Sequence, residues 1–166
     1  MTPQEEFFKL YKRMGELCQQ NNWGDPFSYA RAKEIYAAGK LGHQVATTFS
    51  GADAIMPDGT EVEYKSTTQD KVKGSYTGIS VHKTWEKQLK YLSEDKIKKY
   101  PFHFYNRFEV GELAETWMLE GDVVFDILVP KLESKYPKAL TSDKKDPRLS
   151  ANITTGEIKK YGTRVI

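Results

Sequence analysis

The sequence predicts an α/β or α+β domain, with a central mixed sheet flanked by helices, occupying residues 1–166. Three observations carry that expectation. Capped, apolar-periodic stretches fill the first forty residues, an alternating segment at 61–66 follows a Pro-Asp-Gly turn, and helical and extended patterns then succeed one another with no linker. A chain of 166 residues, 39% of them hydrophobic, can bury a core without disulfide staples.

Thr2, Pro3 and Glu5 form an N-cap, first helical residue and capping-box acid ahead of Phe7, Leu10, Tyr11, Met14, Leu17 and Cys18, so a helix runs over 2–20. The lone Cys18 reads as core packing on that apolar face. Asp25-Pro26 starts a second helix, Ser28 to Ala38, closed by Gly39 and Gly42. Glu34 on that helix reads as one half of an exposed helical ion pair. Strands follow at 43–50 and 52–56, then a turn at Pro57-Asp58-Gly59 and a returning strand at 61–66. Residues 67–83 form a polar loop or hairpin, and Thr84 caps a helix reaching about Tyr100. Phe102–Val110 and Ala114–Leu119 read as strands, Asp122–Lys135 as a helix perturbed near Pro130, Leu140–Leu149 as an exposed loop, and Ile153–Ile166 as a short closing element.

A net charge of +2 conceals an uneven distribution: −3 over residues 1–64, +5 over 65–100, −3 over 101–140 and +3 over 141–166. Two basic segments could therefore attract a polyanion while the whole stays nearly neutral. No apolar run approaches the roughly 20 residues that span a bilayer, and the N-terminal segment lacks the apolar core of a secretion signal, so no membrane partner and a cytoplasmic location are expected.

The chemistry concentrates in the hairpin. Alternation puts Glu61, Glu63 and Lys65 on one face of the 61–66 strand and Val62 and Tyr64 on the other. The turn would bring Asp53 beside Glu63. Two carboxylates can hold Mg2+, a hard cation that prefers oxygen, with coordination positions left for water and a phosphate; the Tyr64 carbonyl could be a third oxygen ligand. An adjacent ammonium, Lys65, stabilises negative charge at the phosphate and the water. Asp53, Glu63 and Lys65 are thus the candidate catalytic set for cutting a phosphodiester. A salt-bridged surface hairpin is the alternative, and Asp58 has a turn role.

The segment Gly51-Ala-Asp53-Ala-Ile-Met-Pro-Asp-Gly-Thr-Glu-Val-Glu63-Tyr-Lys65-Ser66, with nine residues between Asp53 and Glu63, resembles the catalytic segment of the PvuII-like type II restriction endonucleases, in the PD-(D/E)xK superfamily. The preceding helix with its Gly39-Lys40-Leu41 end, the polar segment after Lys65 and the closing Tyr161-Gly-Thr-Arg-Val also resemble that layout. The resemblance implies a homodimer that cuts both strands of short palindromic sites in double-stranded DNA with magnesium, leaving 5′-phosphate and 3′-hydroxyl ends. It makes Asp53, Glu63 and the Tyr64 carbonyl metal ligands, and Lys65 the residue assisting the attacking water. Where that family carries consecutive histidines, this chain has Thr77-Gly-Ile-Ser80-Val-His82, so the base sequence read does not transfer.

Segments 67–83 and 140–166 are the candidate DNA-contacting regions. Lys71, Lys73, Ser75, Tyr76 and Thr77 are placed near DNA, Ser80 and His82 as base readers, and Lys144, Lys145 and Arg148 along the duplex. A packing histidine is an equal reading of His82, and Asn106 with Arg107 reads as a structural polar pair. The helix over 2–20 is the candidate dimer contact. A structure-selective repair or junction nuclease, and a non-catalytic nucleic-acid-binding module, remain as rival functions.

Overall fold

Local capping and turn chemistry shape the first part of the chain. The structure, a computed structural model, describes residues 1–48 and 51–166. They form an α+β fold with a mixed central sheet and flanking helices, divided into compact units Met1–Glu61 and Val62–Ile166. In the first unit, the Thr2 hydroxyl accepts from the Glu5 N–H (3.2 Å) while the Glu5 carboxylate accepts from the Thr2 N–H (2.7 Å), starting α1 (Pro3–Gln20) as expected. Cys18 is buried, but Phe7, Phe8 and Leu10 are 60%, 65% and 61% exposed. Helix α2 (Arg31–Leu41) starts later than Ser28 because the Asp25 carboxylate accepts from the Phe27 N–H (3.0 Å) and the Ser28 hydroxyl, which holds 25–28 in a turn. Gly42, left-handed at φ 71°, closes it.

Arg31 is buried and ties α2 to the chain that leaves β1 (Gln44–Val45). Its guanidinium donates to the carbonyls of Ala46 (3.1 Å) and Thr48 (2.9 Å) and pairs with Glu34 at 3.2 Å, so the expected ion pair forms but is withdrawn from solvent rather than exposed, because its basic half is the buried Arg31. Strand β1 pairs antiparallel with β2 (Ala54–Ile55), Val45 facing Ala54. Both are shorter than the stretches expected over 43–50 and 52–56, and Phe49 and Ser50 of the former lie outside the described residues. The turn at 57–59 is present. Met56 N–H donates to the Thr60 carbonyl (2.8 Å), Gly59 sits at φ 88°, and the Asp58 carboxylate accepts from the Thr60 N–H (2.9 Å), which confirms its turn role.

In the second unit, β3 (Glu61–Thr67) runs parallel to β5 (Phe102–Glu109), which pairs antiparallel with β6 (Glu112–Glu120), and β6 with β8 (Thr163–Arg164). A parallel pair needs a crossover. It is supplied by β4 (Gly74–Ser80), α3 (Trp85–Tyr91) and a π turn at Leu92–Lys96. Thr84 does cap α3, its hydroxyl accepting from the Lys87 N–H (3.3 Å), but regular α-helix stops at Tyr91 rather than near Tyr100.

Strand β4 pairs with β7 (Arg148–Ile153) in a separate antiparallel ribbon, so 148–149, expected in a loop, begin a strand. Leu149, Ala151 and Ile153 alternate into the core, and helix α4 (Gly121–Leu140) packs over the ribbon. Val124, Leu128, Leu132 and Tyr136 form its buried stripe. The helix extends past Lys135 through Pro130 and Pro137 because both prolines are exposed, as are Asp126 and Glu133, whose carbonyls they leave unbonded and open to water. Lys131 and Lys135 of α4 donate to the β7 carbonyls of Asn152 (2.8 Å) and Ser150 (2.6 Å), which blunts that strand's outer edge. Helix α5 (Thr155–Tyr161), opened by a capping box from Thr154 and Glu157, buries Ile158 in the same core. No helix among the described residues is long and apolar enough to cross a membrane.

Candidate active site

The alternation expected for β3 is present: Val62 and Tyr64 are buried, and Glu63 and Lys65 share the other face. On that face Lys65 Nζ donates to Glu63 Oε1 at 2.5 Å, with side chains 23% and 17% exposed. A pair two residues apart on one strand face, half withdrawn from water, interacts more strongly than a solvated surface pair. The Tyr64 ring on the opposite face meets Phe104 edge-on at 5.8 Å, and this fixes β3 at the position whose carbonyl was expected as a ligand. Asp53 belongs to the first unit. It immediately precedes β2, is half-buried, and its carbonyl accepts from the Ala46 N–H at 3.2 Å.

Beneath the Glu63–Lys65 pair lies a buried polar line that the sequence reading missed. Register places His103 opposite Glu63 and Tyr105 opposite Lys65. Tyr76 of β4 reaches both, its hydroxyl 2.9 Å from His103 Nδ1 and 2.7 Å from the Tyr105 hydroxyl. His103 Nε2 lies 2.9 Å from the Ile97 carbonyl. Since a carbonyl only accepts, Nε2 carries the proton and Nδ1 is an acceptor. Tyr76 must then donate to His103, and Tyr105 to Tyr76. Burial pushes His103 down to about 4, against partial opposition from the Ile97 bond and the Glu63 charge. Burial raises Tyr76 and Tyr105 as well, and the Glu63 charge adds to both. Each member of the line therefore stays neutral near pH 7. The alternation of His103 with Phe104 and Tyr105 was a readable signal; what covers that face was not.

Tyr76 is consequently corrected from DNA contact to buried support, because only 7% of it is exposed and its hydroxyl is engaged on both sides. For His82 the structure favours the packing reading: its half-buried ring meets Tyr91 in a tilted contact at 4.5 Å with Nε2 buried, its N–H donates to Gln88, and its carbonyl accepts from Tyr136. The Ser80 hydroxyl accepts from Arg148 (2.6 Å), and Arg148 also pairs with Asp146, which makes both a strap across the β4–β7 ribbon. Ser75 and Thr77 are exposed on β4, Lys71 is exposed and Lys73 half-buried just before it, and Lys144 and Lys145 are exposed in the loop before β7. Asn106 and Arg107 are structural as expected but do not pair with each other: Asn106 is buried and accepts from Thr116 (2.8 Å), and Arg107, on the opposite face, pairs with Glu115 (2.9 Å).

Among the described residues no group of three or more His, Cys, Asp and Glu side chains is arranged to hold a metal ion. The expected donor set is smaller, two carboxylates and one carbonyl, and such all-oxygen donors suit Mg2+, which keeps several of its waters. Glu63 fits that role in part, being withdrawn from solvent with Oε2 outside its bond to Lys65. The chain matches no model of a known protein family and no curated protein.

Proposed function

We propose that this protein is a type II site-specific deoxyribonuclease that cleaves double-stranded DNA by magnesium-dependent hydrolysis. The observation that carries the reading is the Glu63–Lys65 pair on β3, half-buried and backed by a neutral polar line. Asp53 precedes Glu63 by nine intervening residues across the closed turn at 57–59 and is the second carboxylate of the proposed centre. Magnesium, when bound, supplies the Lewis acidity that yields a nucleophilic water near neutral pH. Asp53, Glu63 and the Tyr64 carbonyl would hold it, and the Lys65 ammonium beside Glu63 would stabilise charge on the scissile phosphate.

The β4–β7 ribbon supports a DNA partner, since a two-stranded ribbon fits the major groove and its outward positions Ser75 and Thr77 are polar. Lys71, Lys73, Lys144 and Lys145 supply phosphate contacts. A homodimer matches two symmetry-related phosphates, and the uncovered row on α1, with Phe7, Leu10, Tyr11 and Met14 all 39% exposed or more, is its proposed contact.

The test is incubation of purified protein with plasmid and phage DNA, with Mg2+ or with chelator, followed by sequencing of fragment ends. Discrete Mg2+-dependent fragments with 5′-phosphate and 3′-hydroxyl ends, abolished in Glu63→Ala and Asp53→Ala, are expected. Cutting only at junctions or flaps would replace this reading with a structure-selective nuclease. Binding without cutting, unaffected by Glu63→Ala, would replace it with a binding module.

A further inference from the structure

Lys65 has a second contact besides Glu63. Its Nζ stands 4.8 Å from the centroid of the Tyr76 ring, within the range where an aromatic face attracts a cation. That ring arrives from a different sheet, and its placement is over-determined. Its hydroxyl donates to His103 and accepts from Tyr105, in an order fixed by the Ile97 carbonyl at the end of the line. Gly74, two residues earlier on β4, makes the approach possible, since a Cβ there would lie 2.2 Å and 2.7 Å from carbons of the Tyr105 ring.

We propose that Tyr76 is a positioning residue for Lys65: its ring face seats the ammonium beside Glu63, and the hydrogen-bond line through His103 and Tyr105 holds the ring in place. A flexible four-carbon side chain has many rotamers, and a strand fixes only its root. The tyrosine face attracts the cation without accepting a strong hydrogen bond, so the amine keeps N–H groups to offer a phosphate. The line stores the ring's orientation in neutral groups, which leaves the charge balance of the pair unchanged. This role in catalysis rests on the nuclease reading; the Tyr76–Lys65 contact itself does not.

The experiment has two arms. In the first, lysines carry 13C at the ε position, and the Lys65 signal is assigned by its loss in Lys65→Arg. The wild type is expected to show Lys65 ε-protons displaced upfield by the ring, Tyr76→Phe, which keeps the ring but loses the hydroxyl that anchors it, to show a smaller displacement, and Tyr76→Leu to lose it. A wild-type Lys65 signal at the position of exposed lysines overturns the proposal, whether or not any variant folds. In the second arm, plasmid cleavage by Tyr76→Leu is expected to lose roughly 10²-fold in kcat with KM unchanged, and Tyr76→Phe, with the ring present but its anchor removed, to fall between the two. Equal kcat in Tyr76→Leu and the wild type overturns the positioning role. If the wild type cuts nothing while the upfield signal is present, the nuclease reading fails and the seating of Lys65 stands.

Discussion

Acidification should destabilise this protein through His103, by an amount that follows from its burial. The ring is fully buried, and its pKa falls from the ordinary 6.5 to about 4, chiefly through desolvation. About one pH unit above 6.5 the ring is neutral whether the chain is folded or unfolded, and the linkage vanishes. Between about 6.5 and 4 the unfolded chain takes up a proton that the native protein refuses, so unfolding is favoured as pH falls. At about 1.4 kcal/mol for each tenfold in proton affinity, the interval comes to about 3 kcal/mol in full, of which about 2 kcal/mol is lost by pH 5. Urea unfolding of the wild type and of His103→Leu across pH 7.5 to 3.5 measures it. The variant lacks the titrating ring but retains the carboxylates, so the wild-type minus variant difference isolates the histidine. That difference should decline by about 3 kcal/mol over the range, with most of the change between pH 6.5 and 4. Parallel stability curves for the two proteins would refute the assignment of a buried, neutral His103.

Three further outcomes follow from the second unit. Gly74→Ala places a methyl against the buried Tyr105 ring and should cost about 1–3 kcal/mol in urea unfolding; wild-type stability would mean that ring can yield. Thr154→Ala removes the hydroxyl that accepts from the Glu157 N–H at the start of α5 and should cost about 1 kcal/mol, with Thr154→Ser retaining most of the stability; equal losses in the two variants would point away from capping. The double variant Lys131→Ala, Lys135→Ala uncovers the Asn152 and Ser150 carbonyls on the outer edge of β7 and should self-associate at concentrations where the wild type does not, read by light scattering. Unchanged scattering would mean that the edge is protected by other means.

Local signals were legible where the chain's neighbours in sequence decide the structure. The Thr2–Glu5 box, the Thr84 cap, the Pro-Asp-Gly turn and the alternation of Val62 and Tyr64 each depend on residues a few positions apart, and each is present. Length was misjudged where tertiary packing overrode a local rule. Pro130 suggested a perturbed helix, yet Val124, Leu128, Leu132 and Tyr136 continue one buried stripe past it, and the burial outweighs a single missing hydrogen bond on the wet face. Asp25-Pro26 carried a start signal that the Asp25 side chain itself uses up by bonding Phe27 and Ser28.

The candidate site divides along the same line. That Glu63 and Lys65 share a face follows from the period of a strand, and so does the grouping of His103 with Tyr105 on its neighbour. What covers that face is decided by β4, and β4 is positioned by β7, whose residues lie about seventy positions later in the chain. The Leu149, Ala151, Ile153 alternation was visible but is interrupted on its N-terminal side by the charged run 143–148, which disguised the strand as loop. Once β7 is read as loop, β4 has no partner and Tyr76 is assigned to the solvent side with its neighbours Ser75 and Thr77. Pairing reverses that assignment, because alternate residues of a ribbon packed beneath a helix must face opposite ways. The error over Tyr76 and the error over β7 are therefore one error. Its correction moves the tyrosine from the solvent side to the protein's side of Lys65, where its ring lies 4.8 Å from the amine.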